Sequence, residues 1–269
     1  MGESVAVKQL DNANPENLKR EARMSSQLRH GFIVPLRGIS LDPSAVDARG
    51  LPVGMCLVMP LAKHGSILKA LAKPDVRAHF GSWHQRCKFL AEVASGLYYL
   101  HSQTPPILHR DIKPGNVLVT ESLQPLLADF GLACRLGEET DLGEGTQNYM
   151  APELFDGEGP SCASDVYSFG LLMQFLANYS EVSPCLEPWA EKTIVQIQEL
   201  VGKEHRPAWQ KVIEDDSSLR RFVQVIIPAP SQRCSFCFFA VCIQLTLVAF
   251  SSPAGAGPKT PTAGHALAR

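Results

Sequence analysis

At 269 residues the chain is long enough for one large domain or two small ones, and 45% hydrophobic with 19% charged residues is an ordinary globular balance. A formal net charge of −2, with no run of Lys or Arg, argues against a general nucleic-acid binder. The first ten residues hold no apolar signal core, so the eight cysteines read as reduced thiols of a cytoplasmic protein rather than as a disulfide framework.

In chain order, MGESVAVKQL predicts a strand over residues 3–10 that begins almost at Met1. Ala6 stands where myristoylation wants Ser or Thr. Asn14-Pro15-Glu16 opens a helix whose apolar side is Leu18, Ala22, Met24 and Leu28. Two strands are expected at 32–39 and 55–59, separated by the turn-rich stretch LDPSAVDARGLPVG, read as a loop. From Gly65 the period becomes helical, and 83–101 is a long helix with Phe89, Leu90, Val93, Leu97 and Leu100 on one side. Short strands follow at 107–108, 117–119 and 126–128, and helices return after 165. LRRFVQVI reads as a late helix. Residues 237–250 are apolar but shorter than the ~20 needed to span a bilayer. A membrane role is therefore not expected. The Pro/Gly/Ala-rich residues 251–269 are expected to be disordered. Cys234 and Cys237 form a C-x-x-C pair, but a zinc site wants a second pair and none lies near.

The chemistry sits in loops. HRDIKPGN runs from His109 to Asn116, ADFG ends at Gly131, GTQNYMAPE runs from Gly145 to Glu153, and DVYSFG starts at Asp165. DFG alone is weak. Four such motifs in this order behind VAVK are very specific, and over about residues 3–225 the chain resembles the eukaryotic protein kinases, most of all the tyrosine-kinase-like branch of the Ser/Thr kinases.

The resemblance implies an α+β, two-lobed fold: a partial small antiparallel β lobe with one helix over 1–61, a larger, mainly helical lobe over 62–236, and a divergent segment and tail over 237–269. It implies ATP and Mg²⁺ as cofactors and a protein partner offering a Ser or Thr hydroxyl. Asp111 would accept or orient that hydroxyl, and Lys113 would neutralise the moving phosphoryl group. Asn116 and Asp129 are hard oxygen ligands suited to Mg²⁺. Lys8 would reach the α- and β-phosphates when paired with a helix carboxylate. Glu21 is the candidate, since Glu3 shares the strand with Lys8 and Glu16 sits in the helix's first turn. Ala6 and Leu118 would sandwich the adenine, with Met59 as gatekeeper beside it. In the hinge LVMPLAKHGS the Pro60 carbonyl and the Ala62 N–H would bond the ring; proline lacks only the N–H, which that contact does not use. Lys113 two residues after Asp111, and Gly145-Thr146 before the substrate platform, match the Ser/Thr pattern. Arg110 would receive a phosphate on the activation loop, with Thr140 as the candidate acceptor among acidic neighbours.

Three departures stand out. No Gly-rich loop precedes VAVK, which leads to the expectation of an incomplete kinase that binds ATP weakly. Ser25 falls where the family's regulatory spine, otherwise Leu36, His109 and Phe130, wants a large apolar side chain. PSQRCSF carries Cys234 where the family has proline, with Arg233 as a candidate partner for Glu153. A rival reading follows: a catalytically silent, kinase-like module serving as a protein-interaction scaffold. Retention of Lys8, Asp111, Asn116 and Asp129 favours the enzyme. A different ATP-dependent phosphotransferase fits less well, because the GTQNYMAPE platform suits a peptide.

Overall fold

The structure, a computed structural model, describes residues 4–9, 15–46, 52–140, 143–178, 188–189, 192–203 and 205, with backbone alone at 15–18, 41–46 and 52–55. The late helix, Arg233, the C-x-x-C pair, the apolar segment 237–250 and the tail all lie outside the described residues.

The first strand, β1 (Val5–Gln9), alternates exposed and half-buried residues as VAVKQ dictates, with Val5 and Val7 outward and Ala6 and Lys8 inward. Helix α1 (Pro15–Gln27) starts on a proline, which suits a first turn, and buries Glu21, Ala22, Met24 and Ser25. Strands β2 (Gly38–Val46) and β3 (Pro52–Pro60) complete an antiparallel sheet in the order β1-β3-β2.

This hairpin corrects the sequence reading. Most of the stretch expected to be a loop is paired backbone, and only residues 38 and 39 of the expected strand 32–39 belong to β2. The register shift between Asp42 and Val46 takes up residues 43–45, Pro43 among them, and β2 is an edge strand, where proline does not break a ladder on both sides. Phe32–Val34 instead cross to the larger part of the molecule. Leu127 N–H donates to the Phe32 carbonyl at 2.8 Å, and Val34 N–H to the Leu127 carbonyl at 2.9 Å.

Beyond the hinge come β4 (Gly65–Ser66), α2 (Ile67–Ala70), α3 (Pro74–His79) and the long α4 (Trp83–His101), which has the predicted bounds and buries its predicted apolar side. Then follow β5 (Ile107–Leu108), a 3₁₀ turn at Pro114–Asn116, β6 (Val117–Val119), β7 (Pro125–Leu127) and β8 (Cys134–Arg135). The sheets are β4-β6-β7 and β5-β8. Ala128 lies one residue past β7, and its N–H donates to the Asn116 carbonyl, 2.9 Å away, where the paired segment has already entered the 3₁₀ turn.

A second 3₁₀ turn (Gln147–Tyr149) and α5 (Pro152–Phe155) lead to α6 (Cys162–Ala177) and α7 (Ile194–Gly202). Helix α6 opens on a reciprocal capping box, Ser161 with Ser164, and is buried from Ser164 to Ala177. It is the axis of a core in which Met24, Leu28, Phe130, α4 and α6 share one cluster. Ser25 is itself buried, and α1 supplies apolar contact around Phe130 through Met24 and Leu28. Leu36 packs with Ala22, Leu57 and Met59 in a smaller cluster. Among the described residues no helix is long and apolar enough to cross a membrane.

Candidate active site

The catalytic loop hangs between β5 and β6 and is held from below by one carboxylate. Asp165 on α6 accepts from the backbone N–H of His109 (2.8 Å) and of Arg110 (2.9 Å), and it pairs with His101 Nε2 at 2.9 Å. Burial opposes its charge, yet the His101 bond, the fields of His101 and His109 and the His109 N–H together hold its pKa below the ordinary carboxylate value. Arg110 is in the left-handed region, at φ 66°, a conformation stabilised here by that bonding. His109 is fully buried. Its Nε2 donates to the Ala128 carbonyl at 3.1 Å and its Nδ1 accepts from Asp111 N–H at 3.3 Å, so the neutral ring is specified. Its ring lies 5.0 Å from that of Phe130.

Asp111 is the most densely bonded carboxylate of the loop. Oδ1 accepts from Thr146 Oγ1 (2.7 Å) and Thr146 N–H (3.2 Å). Oδ2 accepts from Lys113 Nζ (2.7 Å) and Asn116 Nδ2 (2.7 Å). Lys113 also donates to Thr146 Oγ1 at 2.6 Å. Burial works against the charge of Asp111, but these donors outweigh it and hold the pKa below the ordinary value. Asn116 spends both amide N–H groups on Asp111, its carbonyl at 2.8 Å and its carboxylate, which leaves Oδ1 without a donor among the described residues.

The opposite wall is built from the small sheet and α1. Lys8 donates to Glu21 Oε1 (2.9 Å) and Oε2 (2.8 Å) and to Asp129 Oδ1 (2.8 Å). Two carboxylates thus share one ammonium. For Lys8 burial is the largest influence and lowers its pKa, but the bonds to Asp129 and Glu21 reverse it and the net shift is upward. Glu21, the more buried acid, is pushed up by burial and by Asp129 despite Lys8 and the Phe130 N–H. Asp129, at φ 67°, keeps its side chain 43% exposed.

Sequence reading named Lys8, Glu21, Asp129, Asp111, Lys113 and Asn116, and the structure brings them together as two groups joined through the Ala128 backbone. Met59 lies opposite Ala6 in the β1–β3 register, and Pro60 opposite Val5. Ala62 is buried, and its N–H has no partner among the described residues. Leu118 is half-buried between the fully buried Val117 and Val119. The Arg110 guanidinium, expected to be open to a phosphate, is only 5% exposed: it donates to the Leu132 carbonyl and sits 3.4 Å from Glu144. Sequence reading assigned no role to Asp165 or His101, and it did not foresee Thr146 as a partner of Asp111. The DVYSFG motif was the available signal for the first.

Among the described residues no three His, Cys, Asp or Glu side chains group into a metal site. A Mg²⁺ ion would rest on Asp129 and the donor-free Asn116 Oδ1, with phosphate oxygens completing its shell, which is how Mg²⁺ is ordinarily held.

Comparison with known proteins agrees with this geometry. The protein kinase domain model matches residues 1–243. The chain is 38% identical over 194 residues to human receptor-interacting serine/threonine-protein kinase 3, covering 70% of this chain and 35% of that protein. It is 38% identical over 179 residues to the rat protein of the same name, covering 63% of this chain and 35% of that one. To serine/threonine-protein kinase CTR1 of Arabidopsis thaliana it is 33% identical over 187 residues, covering 68% and 21%. The chain thus spans about a third of the length of the first relatives it matches. With its catalytic loop, its lysine–glutamate pair and nine-tenths of its length matched, the chain belongs to the protein kinase domain family.

Proposed function

We propose that the chain transfers the γ-phosphoryl group of ATP to serine or threonine hydroxyls of a protein. One observation carries the reading: Asp111 already holds a hydroxyl, that of Thr146, at 2.7 Å, with Lys113 on the same oxygen. A substrate Ser or Thr hydroxyl entering there would exchange with a group of its own kind. Because its donors keep Asp111 ionised, it is a weak equilibrium base and a strong acceptor. Its role is to orient the hydroxyl toward the phosphorus and to take the proton late. Lys113 supplies positive charge beside it, and Lys8, oriented by Glu21, binds the non-transferring phosphates. Bound Mg²⁺ supplies further neutralisation of phosphate charge. The names of all three relatives, serine/threonine-protein kinases, support the same acceptor class. The cysteines at 56, 87, 134 and 162 are free thiols, in keeping with a reducing, ATP-containing cytoplasm as the proposed place of action.

The test is peptide phosphorylation by the whole chain with Mg²⁺ and labelled ATP, followed by identification of the labelled amino acid. Label on Ser or Thr is expected, with loss on chelating the metal. Asp111→Asn should lower turnover by roughly 10²–10⁴-fold, the usual size of an acid–base contribution. Equal turnover by both proteins would leave the chain a silent module.

A further inference from the structure

Arg110 joins three segments of the chain. Its backbone N–H is fixed by Asp165 at 2.9 Å, and its φ of 66° lies in the left-handed region. From that base the guanidinium donates to the Leu132 carbonyl at 3.2 Å, just beyond Asp129-Phe130-Gly131, and to Glu144 Oε2 at 3.4 Å, just before Thr146. The Arg110 side chain is 5% exposed, so its charge has to be met within the fold, because a buried and unmatched cation is costly. Glu144 stands between two glycines in left-handed backbone, Gly143 at φ 84° and Gly145 at φ 125°. Thr146 follows, and it donates to Asp111 through both its N–H and its hydroxyl. The cavity that these residues line against α6 holds about 20 Å³, room for a water but not for a phosphate beside the carboxylate.

We propose that Glu144 does at Arg110 what a phosphate on the activation loop would otherwise do, so that the segment leading to Thr146 is set by the sequence itself and needs no modification of Thr140. The consequence for catalysis rests on phosphotransfer as proposed above. A carboxylate carries less charge than a phosphate dianion, but it meets this guanidinium where water is largely excluded and one charge counts for more. Thr140 lies four residues earlier and is half-buried. A phosphate added there would have to displace Glu144 before it reached Arg110. Glu144 is thus a positioning residue. It acts on Asp111 through its two neighbours, Arg110 in the catalytic loop and Thr146 on the substrate platform.

The experiment is backbone hydrogen exchange of the full chain after phosphatase treatment, with intact mass confirming that no phosphate is left. It is read at the amides of Thr146, Tyr149 and Met150, which donate to the Asp111 carboxylate and to the Thr146 and Gln147 carbonyls. The phosphate-free chain should protect them as the untreated chain does. Glu144→Gln should exchange them faster by about tenfold or more, the size of a lost bond to a charged group. Glu144→Asp should keep part of the protection, Thr140→Ala all of it, and melting curves would confirm that every variant is folded. In peptide phosphorylation by the same proteins, phosphatase treatment and Thr140→Ala should leave turnover unchanged. Glu144→Gln should lower kcat by about tenfold with KM for ATP little altered, the split expected of a positioning residue. Protection that is lost on phosphatase treatment, or that survives Glu144→Gln, would overturn the proposal. So would a loss that follows Asp141→Asn in place of Glu144→Gln. The expected exchange pattern with no turnover by any of the proteins would sink the phosphotransfer reading and leave the setting of the segment by Glu144 standing.

Discussion

His109 shows how much one buried ring can control. Burial pushes its pKa below the ordinary histidine value of 6.5, against the fields of Asp165, Asp111 and Asp129. The unfolded chain therefore takes up a proton as pH falls through 6.5 while the folded ring stays neutral, so stability is full above that pH and declines below it. His30 and His79 are also lowered, chiefly by burial, and add to the same slope. A second decline is expected below about pH 4, where Asp111 and Asp165, both held below the ordinary aspartate value of 3.8, resist protonation that the unfolded chain accepts. Melting temperature against pH should show both. His109→Phe keeps a ring beside Phe130 and should shallow the decline between pH 6.5 and 5, and an unchanged slope would assign it to other groups.

Elements here depend on contacts made at their ends. Gly145 is at φ 125°, and a Cβ there would lie 3.1 Å from the Arg110 carbonyl. Gly145→Ala adds strain of about 1–3 kcal/mol and displaces Thr146 from Asp111. The expected result is a kcat lowered about tenfold or more, with KM for ATP little changed, read by steady-state kinetics. Helix α6 ends on a different device. Arg86 of α4 donates to the Leu176 (3.1 Å) and Ala177 (3.3 Å) carbonyls and, through Nε and Nη2, to Phe80 (2.7 Å) and Gly81 (3.0 Å). A cation at a helix C-terminus also suits the dipole. Arg86→Ala should destabilise the chain by about 2–4 kcal/mol, since carbonyls bonded to a charge lose their partner together. Denaturant unfolding would measure it.

At the scale of the whole molecule, the chain between α1 and β2 ties the small sheet to the helical body. Phe32 and Val34 bond to β7, and His30 stacks on Tyr99 of α4 at 5.0 Å, while Tyr99 Oη accepts the Arg29 N–H. Across the cleft itself Lys8, held by Glu21 on its own side, bonds Asp129. The raised pKa of Glu21 means that folding disfavours its ionised form, so its stability contribution diminishes as pH rises through 4.5 and above. Glu21→Gln should therefore leave the melting temperature at pH 7 unchanged or slightly higher. Activity should still fall about ten- to a hundredfold, because a charge-assisted bond orienting Lys8, worth roughly 1.5–3 kcal/mol, is lost. A parallel loss of stability and activity would show that the pair is structural rather than a positioning device.

Local rules decided a large part of this protein. The period of 3.6 along Trp83–His101 set α4 to the residue, and the run VAVK is half-buried alternation that only a strand satisfies. The order and spacing of HRDIKPGN, ADFG and GTQNYMAPE marked Asp111, Lys113, Asn116 and Asp129 as loop residues bearing chemistry. Tertiary structure decided the rest. Residues 41–46 run as strand despite their turn formers, because an antiparallel neighbour pairs Leu41, Asp42 and Val46 on either side of a register shift, and no local propensity reports that neighbour. Glu144 fills the Arg110 guanidinium, and Asp165 holds the loop from 55 residues away, because hydrogen-bond partners are found by folding rather than by proximity in the chain. Residue types disclose which chemistry a site can hold; only packing decides which of those groups, like Asp111 and Arg110, already have partners.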